Sequence, residues 1–188
     1  MWWPKLRLTV SRVAPLATAL ALAGLLGGCF EPLYGEKTLA GGPGLNQRLR
    51  SVAIDPIRAA SGTPNARIAV ELQNDLNYDL TGGAGQTGKT HQLTITLTTQ
   101  NQQVIVDITT ARPEVQQFGI NVSYTLTEIA TGKPVVTGTT FARVSYDSPG
   151  QQQRFANARG LRDSENRATK VISENIKSRL ASYFAAGT

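Results

Sequence analysis

The order of residue patterns predicts an α+β fold, a two-layer domain with two helices packed on one face of a four-stranded mixed sheet, in the order β-α-β-β-β-α. Three observations carry this. Apolar residues recur every four positions in two separate stretches, Ile68 to Leu80 and Ala168 to Phe184. Between them the period falls to two, with Leu93, Ile95 and Leu97 alternating against Thr94, Thr96 and Thr98. Ala130-Thr131-Gly132-Lys133 then joins two β-rich runs at hairpin spacing. Two helices with one apolar stripe each can bury both stripes only against a single sheet face. The opposite face, rich in Thr and Gln, is left for water or a partner.

The elements follow in order. Arg50 to Ile57 alternates Val52 and Ile54 against Ser51 and Asp55, a short strand stopped by Pro56. Thr63-Pro64 reads as an N-cap followed by Pro at the first helical position. Ile68, Leu72, Leu76 and Leu80 form the stripe of that helix, and Gly82 closes it. After a glycine-rich loop the first long strand begins. Gln100 to Gln103 is expected to interrupt it as a bulge or turn, and Val104-Ile105-Val106 resumes extended structure. A third strand covers roughly 115–129 and a fourth 134–146, with Val136 and Phe141 among its apolar residues. Asp147-Ser148-Pro149-Gly150 ends it. The last helix covers about 151–184, with Ala168, Ile172, Ile176, Leu180 and Phe184 as its stripe and an Arg-rich, polar first half (Arg154, Arg159, Arg162, Arg167).

The N-terminus has a different character. Lys5, Arg7 and Arg12 precede the apolar run Val13 to Leu26, and Leu26-Gly27-Gly28-Cys29 follows with the only cysteine. A basic start, a short apolar run and small residues form the pattern of an export signal. The run is shorter than the ~20 residues that a membrane-spanning helix needs. The Cys directly after small residues, with Leu three positions before it, resembles the lipobox of bacterial lipoproteins, in which the thiol is acylated and becomes the new N-terminus. The expected organisation is therefore a lipoprotein signal peptide (1–28), a lipidated N-terminus and flexible tether (29–48), and a single α+β domain (49–186). The tether reading rests on Pro32, Pro43 and the glycines at 35, 41, 42 and 44, with no periodicity between them.

The whole chain carries a formal charge of +6, but three of its 19 basic residues and none of its 13 acidic ones lie in the signal. The mature part is thus only mildly basic, which argues against a nucleic-acid binder. With Cys29 acylated no thiol remains for a disulfide, so the core alone must hold the fold.

Gly83-Ala84-Gly85-Gln86-Thr87-Gly88-Lys89-Thr90 matches the phosphate-loop pattern, and Asp107 after Val104-Ile105-Val106 offers a would-be magnesium ligand. That motif works only between a strand and a helix, whose N-terminal amides hold the phosphates. Here a helix precedes it and a period-two run follows, so a flexible connection is expected. The one histidine, His91, is expected to be a solvated loop residue. No metal site, cofactor or catalytic constellation is expected, and the chain is not expected to be an enzyme.

Several stretches together resemble the lipopolysaccharide-assembly lipoprotein family, LptE. Cys29-Phe30-Glu31-Pro32-Leu33-Tyr34-Gly35 is close to the family's opening Cys-Gly-Phe-x-Pro-Leu-Tyr-Gly, with one residue missing after the Cys. Ser123 to Lys133 looks like the family's third strand and its turn. Arg162 to Ala168 and Ile176 to Phe184 look like its C-terminal helix. The glycine-rich segment 82–88 is not part of that pattern. The resemblance implies two helices on a four-stranded sheet. It also implies an outer-membrane lipoprotein, anchored by acyl chains on the periplasmic side, that plugs and helps assemble the β-barrel LptD. Its ligand would be lipopolysaccharide, delivered to the outer leaflet. Lys89, Arg112, Lys133 and Arg143, in or beside strands and turns, are candidates to meet the phosphates. The alternatives are an auxiliary lipoprotein of a phospholipid-transport ABC system and, more remotely, a phosphate-loop nucleotide-binding enzyme.

Overall fold

The computed structural model describes residues 42–107, 112–148 and 153–186. The export signal, Cys29 and the start of the tether lie outside the described residues. The elements are α1 (Leu45–Arg50), β1 (Val52–Ile54), α2 (Pro64–Thr81), β2 (His91–Asp107), β3 (Arg112–Glu128), β4 (Pro134–Asp147) and α3 (Arg154–Ala185). The sheet order is β1-β2-β3-β4. β1 runs parallel to β2, with α2 as the crossover, and β2, β3 and β4 form an antiparallel meander. The predicted two-layer α+β architecture with a mixed four-stranded sheet is the one observed.

Both helical stripes face the sheet. Ile68, Leu72, Leu76 and Leu80 of α2 are buried, as are Ala168, Ile172, Ile176, Leu180 and Phe184 of α3. They meet Leu93 and Ile95 of β2, Phe118, Ile120, Val122, Tyr124 and Leu126 of β3, and Val136, Ala142 and Tyr146 of β4 in one core. α3 crosses mainly β4 and β3, and α2 lies beside it toward β1 and β2. The two helices run in the same direction, because their partners rise together. Arg67 pairs with Glu165, and twelve residues further on Asp79 accepts a 2.5 Å hydrogen bond from the Ser173 hydroxyl. Gly82 ends α2 with φ +63°, a left-handed conformation that favours glycine.

Four details of these elements go against or beyond the sequence reading. The tether does not extend to residue 48. Residues 45–50 form α1, and Leu45 and Leu49 enter the core. Two apolar positions four apart make too short a stripe to register as a period. Second, β2 is unbroken through Gln100 to Gln103, which pair with Gly119 to Gln116. The register slips only later, between Gln103 and Val106. Third, Thr63 does occupy the N-cap of α2, but its hydroxyl donates to the Ala60 carbonyl at 2.6 Å and makes no cap bond. Last, Phe141 does not belong to the core side of β4. It lies one residue out of step with Val136 and Ala142 and is exposed.

Candidate interaction surface

Strand alternation places one set of side chains under the helices and the other on an open face. The cross-strand register builds that face in rows. Thr96 pairs with Ser123 and Ser123 with Thr139; Thr98 pairs with Asn121 and Asn121 with Phe141; Gln100 pairs with Gly119 and Gly119 with Arg143. Thr94, Thr96, Thr98, Gln100, Asn121, Ser123, Thr137 and Thr139 are all exposed or nearly so. At the β1 edge the Asp55 carboxylate accepts from Gln92 Nε2 and Thr94 Oγ1, each at 2.7 Å. The surface is therefore hydroxyl- and amide-rich, with the Asp55 carboxylate engaged at its β1 edge. Within these three rows the departures are Phe141 and Arg143, with the Arg143 guanidinium 5.5 Å from the Phe141 ring centroid.

A second feature lies at the end of the sheet where β2 begins. A groove of about 580 Å³ is lined by residues of α1, the 87–91 segment, β3 and α3, among them Arg48, Thr90, His91, Glu128, Tyr183 and Phe184. Its polar groups largely satisfy one another. Arg48 Nη1 donates to the Phe184 carbonyl at 2.9 Å, Ser51 Oγ and Thr90 Oγ1 are 2.8 Å apart, and Thr90 Oγ1 lies 2.8 Å from His91 Nδ1. His91 is not a solvated loop residue. It opens β2, half-buried, edge-on to Phe184 at 5.1 Å and to Tyr183 at 6.3 Å. Burial pushes its pKa below the ordinary value of 6.5, partly offset by the Glu128 carboxylate, its direct cross-strand partner.

The four candidate cations do not converge. Lys89 and Lys133 flank the groove end, since Thr90 accepts from the Ile129 amide and Lys133 from the Glu128 amide. Arg112 is the first residue of β3, paired with Asp107 at the other end of the hairpin, sixteen positions from His91. At ~3.4 Å per residue that is about 50 Å away. Arg143 lies between, on the open face. One phosphate-bearing ligand headgroup therefore does not reach all four.

The phosphate-loop pattern does not stand in the strand-to-helix setting that it needs. Gly83 to Thr90 leaves α2 and enters β2, so no helix N-terminus follows it. Asp107 stands at the far end of β2, about 50 Å away along the strand by the same count.

The Phe141–Arg143 pair on the sheet face is only half legible in the sequence. Arg143 stands out there as a cation, whereas Phe141 appears only among the apolar residues of its strand, with no face assigned. Counting parity from Val136 is the signal that distinguishes it.

No family model matches the chain, and no curated protein matches it. Its fold recurs among solved structures. A lipoprotein of Caulobacter crescentus CB15 superposes with a TM-score of 0.58 at 21% identity, over 77% of this chain and 97% of that one. A minor lipoprotein of Acinetobacter baumannii gives 0.50 at 12% identity, over 70% and 90%. The uncharacterized lipoprotein B of Nitrosomonas europaea gives 0.50 at 14%, over 72% and 84%. At such identities the likeness is one of fold. The chain shares a two-layer α+β architecture with bacterial lipoproteins and covers most of the length of each.

Proposed function

We propose that this chain is an outer-membrane lipoprotein, anchored through acylated Cys29 on the periplasmic side, that plugs and helps assemble the LptD β-barrel and assists lipopolysaccharide in reaching the outer leaflet. It acts by binding and not by chemistry. The observation that carries the reading is the open sheet face. Eight exposed Thr, Ser, Asn and Gln side chains on adjacent strands suit the polar, strand-built inner wall of a barrel better than they suit lipid. The fold shared with bacterial lipoproteins supports it. So do the lipobox-like Leu26-Gly27-Gly28-Cys29 and the segments that resemble the LptE family. Among the described residues no helix is long and apolar enough to cross a membrane. The attachment proposed is the lipid on Cys29. A diacylglyceryl group plus an N-acyl chain, at ~0.8 kcal/mol per buried methylene, holds a protein on the bilayer effectively permanently.

The test is detergent extraction of the full-length chain followed by identification of its stoichiometric partner. A 1:1 complex with a large outer-membrane barrel, stable at 1 M salt, is expected. An inner-membrane ABC transporter in its place would favour the phospholipid-transport alternative. Radiolabelled palmitate is expected to enter the wild-type protein and not Cys29→Ala.

A further inference from the structure

The geometry points to Phe141 and Arg143 as the anchor of the interface on the open sheet face, seated against a polar strand wall that presents a carboxylate to Arg143. This rests on the barrel-plug reading and names the surface and the residues through which the plug is held.

Folding leaves one side chain of β4 unexplained. The core side of β4 is the even-numbered set, Val136, Ala142 and Tyr146, and all three are buried. Phe141 is on the other face and 63% exposed, so the domain gains little by keeping an aromatic ring there. Its neighbours across the strands are Asn121 and then Thr98, both polar. A single large apolar side chain among small hydroxyl and amide groups is the pattern of an interface centre, where an aromatic and an arginine contribute most and a ring of near-neutral contacts keeps water out.

Arg143 fits the same reading. Among the described residues the ion pairs are Arg67–Glu165 and Asp163–Arg167, and Arg143 belongs to neither. Asp55, at the β1 edge, is already engaged by Gln92 and Thr94. The guanidinium instead stacks on Phe141, which holds its planar fork at a defined place and leaves its donors free for a carboxylate. Gly119, the cross-strand neighbour of Arg143, carries no side chain of its own, and Gln100 folds over it so closely that a Cβ there would stand 3.1 Å from Gln100 Cγ. The Gln100 side chain therefore covers the strand beside Arg143.

The size of the face also matches. β4 has 14 residues, about 48 Å at ~3.4 Å each, and three strands at ~4.8 Å spacing span about 14 Å. That gives roughly 700 Å² of flat surface, close to the ~800 Å² that each partner contributes to a stable interface. A strand wall repeats its side chains with the same two-residue period as these rows, which is why a barrel lumen is the occupant it suits.

The experiment compares the full-length wild-type chain with Phe141→Ala, Arg143→Gln and Arg143→Lys, each extracted in detergent, and measures how long the barrel stays bound on dilution. Phe155→Ala, an exposed phenylalanine at the start of α3, serves as the control. Phe141→Ala and Arg143→Gln are expected to shorten the half-life at least about tenfold. Arg143→Lys should shorten it too, because a lysine keeps the charge but not the stacked fork, and Phe155→Ala should leave it unchanged. Circular dichroism melting of the same variants separates loss of binding from loss of folding. If a variant melts early, the Arg143→Lys chain decides. A barrel retained equally by the wild type, Phe141→Ala and both Arg143 variants would overturn the inference alone. The absence of any barrel with the wild-type chain would overturn the proposed function and the anchor with it.

Discussion

The ring of Tyr124 lies across Gly138 on the neighbouring strand, so that a Cβ built on Gly138 would stand 2.6 Å from the tyrosine hydroxyl oxygen and 2.8 Å from the ring carbon that bears it. Tyr124 is itself buried in the core, directly across from Ile95 of β2. Glycine in a strand interior usually weakens the strand, but here it makes the room that a large core side chain occupies.

Gly138→Ala should therefore destabilise the domain by about 1–3 kcal/mol, the usual cost of overpacking a core. Tyr124→Leu in the same chain should recover part of that loss, since the atoms that clash are gone. Chemical denaturation of the two single variants and the double gives the coupling. Strict additivity would show that the tyrosine does not rest on the glycine.

Ile176 is fully buried at the centre of the α3 stripe. Ile176→Asp places an unpaired carboxylate there, at a cost of several kcal/mol, a large share of the ~5–15 kcal/mol that holds a single domain. Lys177→Ala, one position round the helix and only half-buried, should stay within about 0.5 kcal/mol of the wild type. Thermal melting reads the difference, and equal midpoints would show that the stripe is misassigned.

Arg67 and Glu165 join α2 to α3, and the carboxylate is 5% exposed against 36% for the guanidinium. Arg67→Ala leaves that buried charge without its partner. The expected loss is about 2 kcal/mol, below the ~3–5 of a fully buried pair because water already reaches the arginine. The effect should shrink in an Arg67→Ala/Glu165→Gln double variant. If urea midpoints show the double variant no more stable than the single, the penalty is not that of an orphaned charge.

His91 is the only histidine, so it dominates side-chain titration between pH 5 and 8. Its folded pKa lies below the ordinary 6.5, first because of burial. The unfolded chain then binds the proton more readily than the folded one. Stability contributed by the neutral ring is present above pH 6.5 and is lost as the pH falls from there toward the folded value. Melting temperature should accordingly drop between pH 7.5 and 5.5 in the wild type, and His91→Gln should flatten that slope. An unchanged slope in the variant would place its origin elsewhere.

Much of the fold could be read from local pattern because it is local in origin. A period of four in Ile68 to Leu80 and Ala168 to Phe184, and a period of two in Leu93 to Leu97, reflect side-chain geometry within one element. The turn at Gly132 needs only its own left-handed backbone, with φ +65°. The features missed are those whose cause lies elsewhere in the chain. α1 forms because Leu45 and Leu49 find the core, a contact that six residues cannot announce. Gln100 to Gln103 stays extended because β3 supplies its hydrogen bonds, which outweigh the weak strand preference of Gln and Asn.

The candidate surface divides along the same line. By itself the sequence determined that this is a two-layer α+β domain with a polar sheet face, since alternation of Thr with aliphatic residues is written into each strand. Only the tertiary structure decided which residues share that face. Cross-strand register sets Phe141 beside Asn121 and Arg143 beside Gly119, separates Lys89 from Arg112 by the length of a hairpin, and draws His91 against Phe184 from 93 residues away. Register is fixed by how the whole sheet packs under two helices, because a slip of one residue would turn every buried side chain outward.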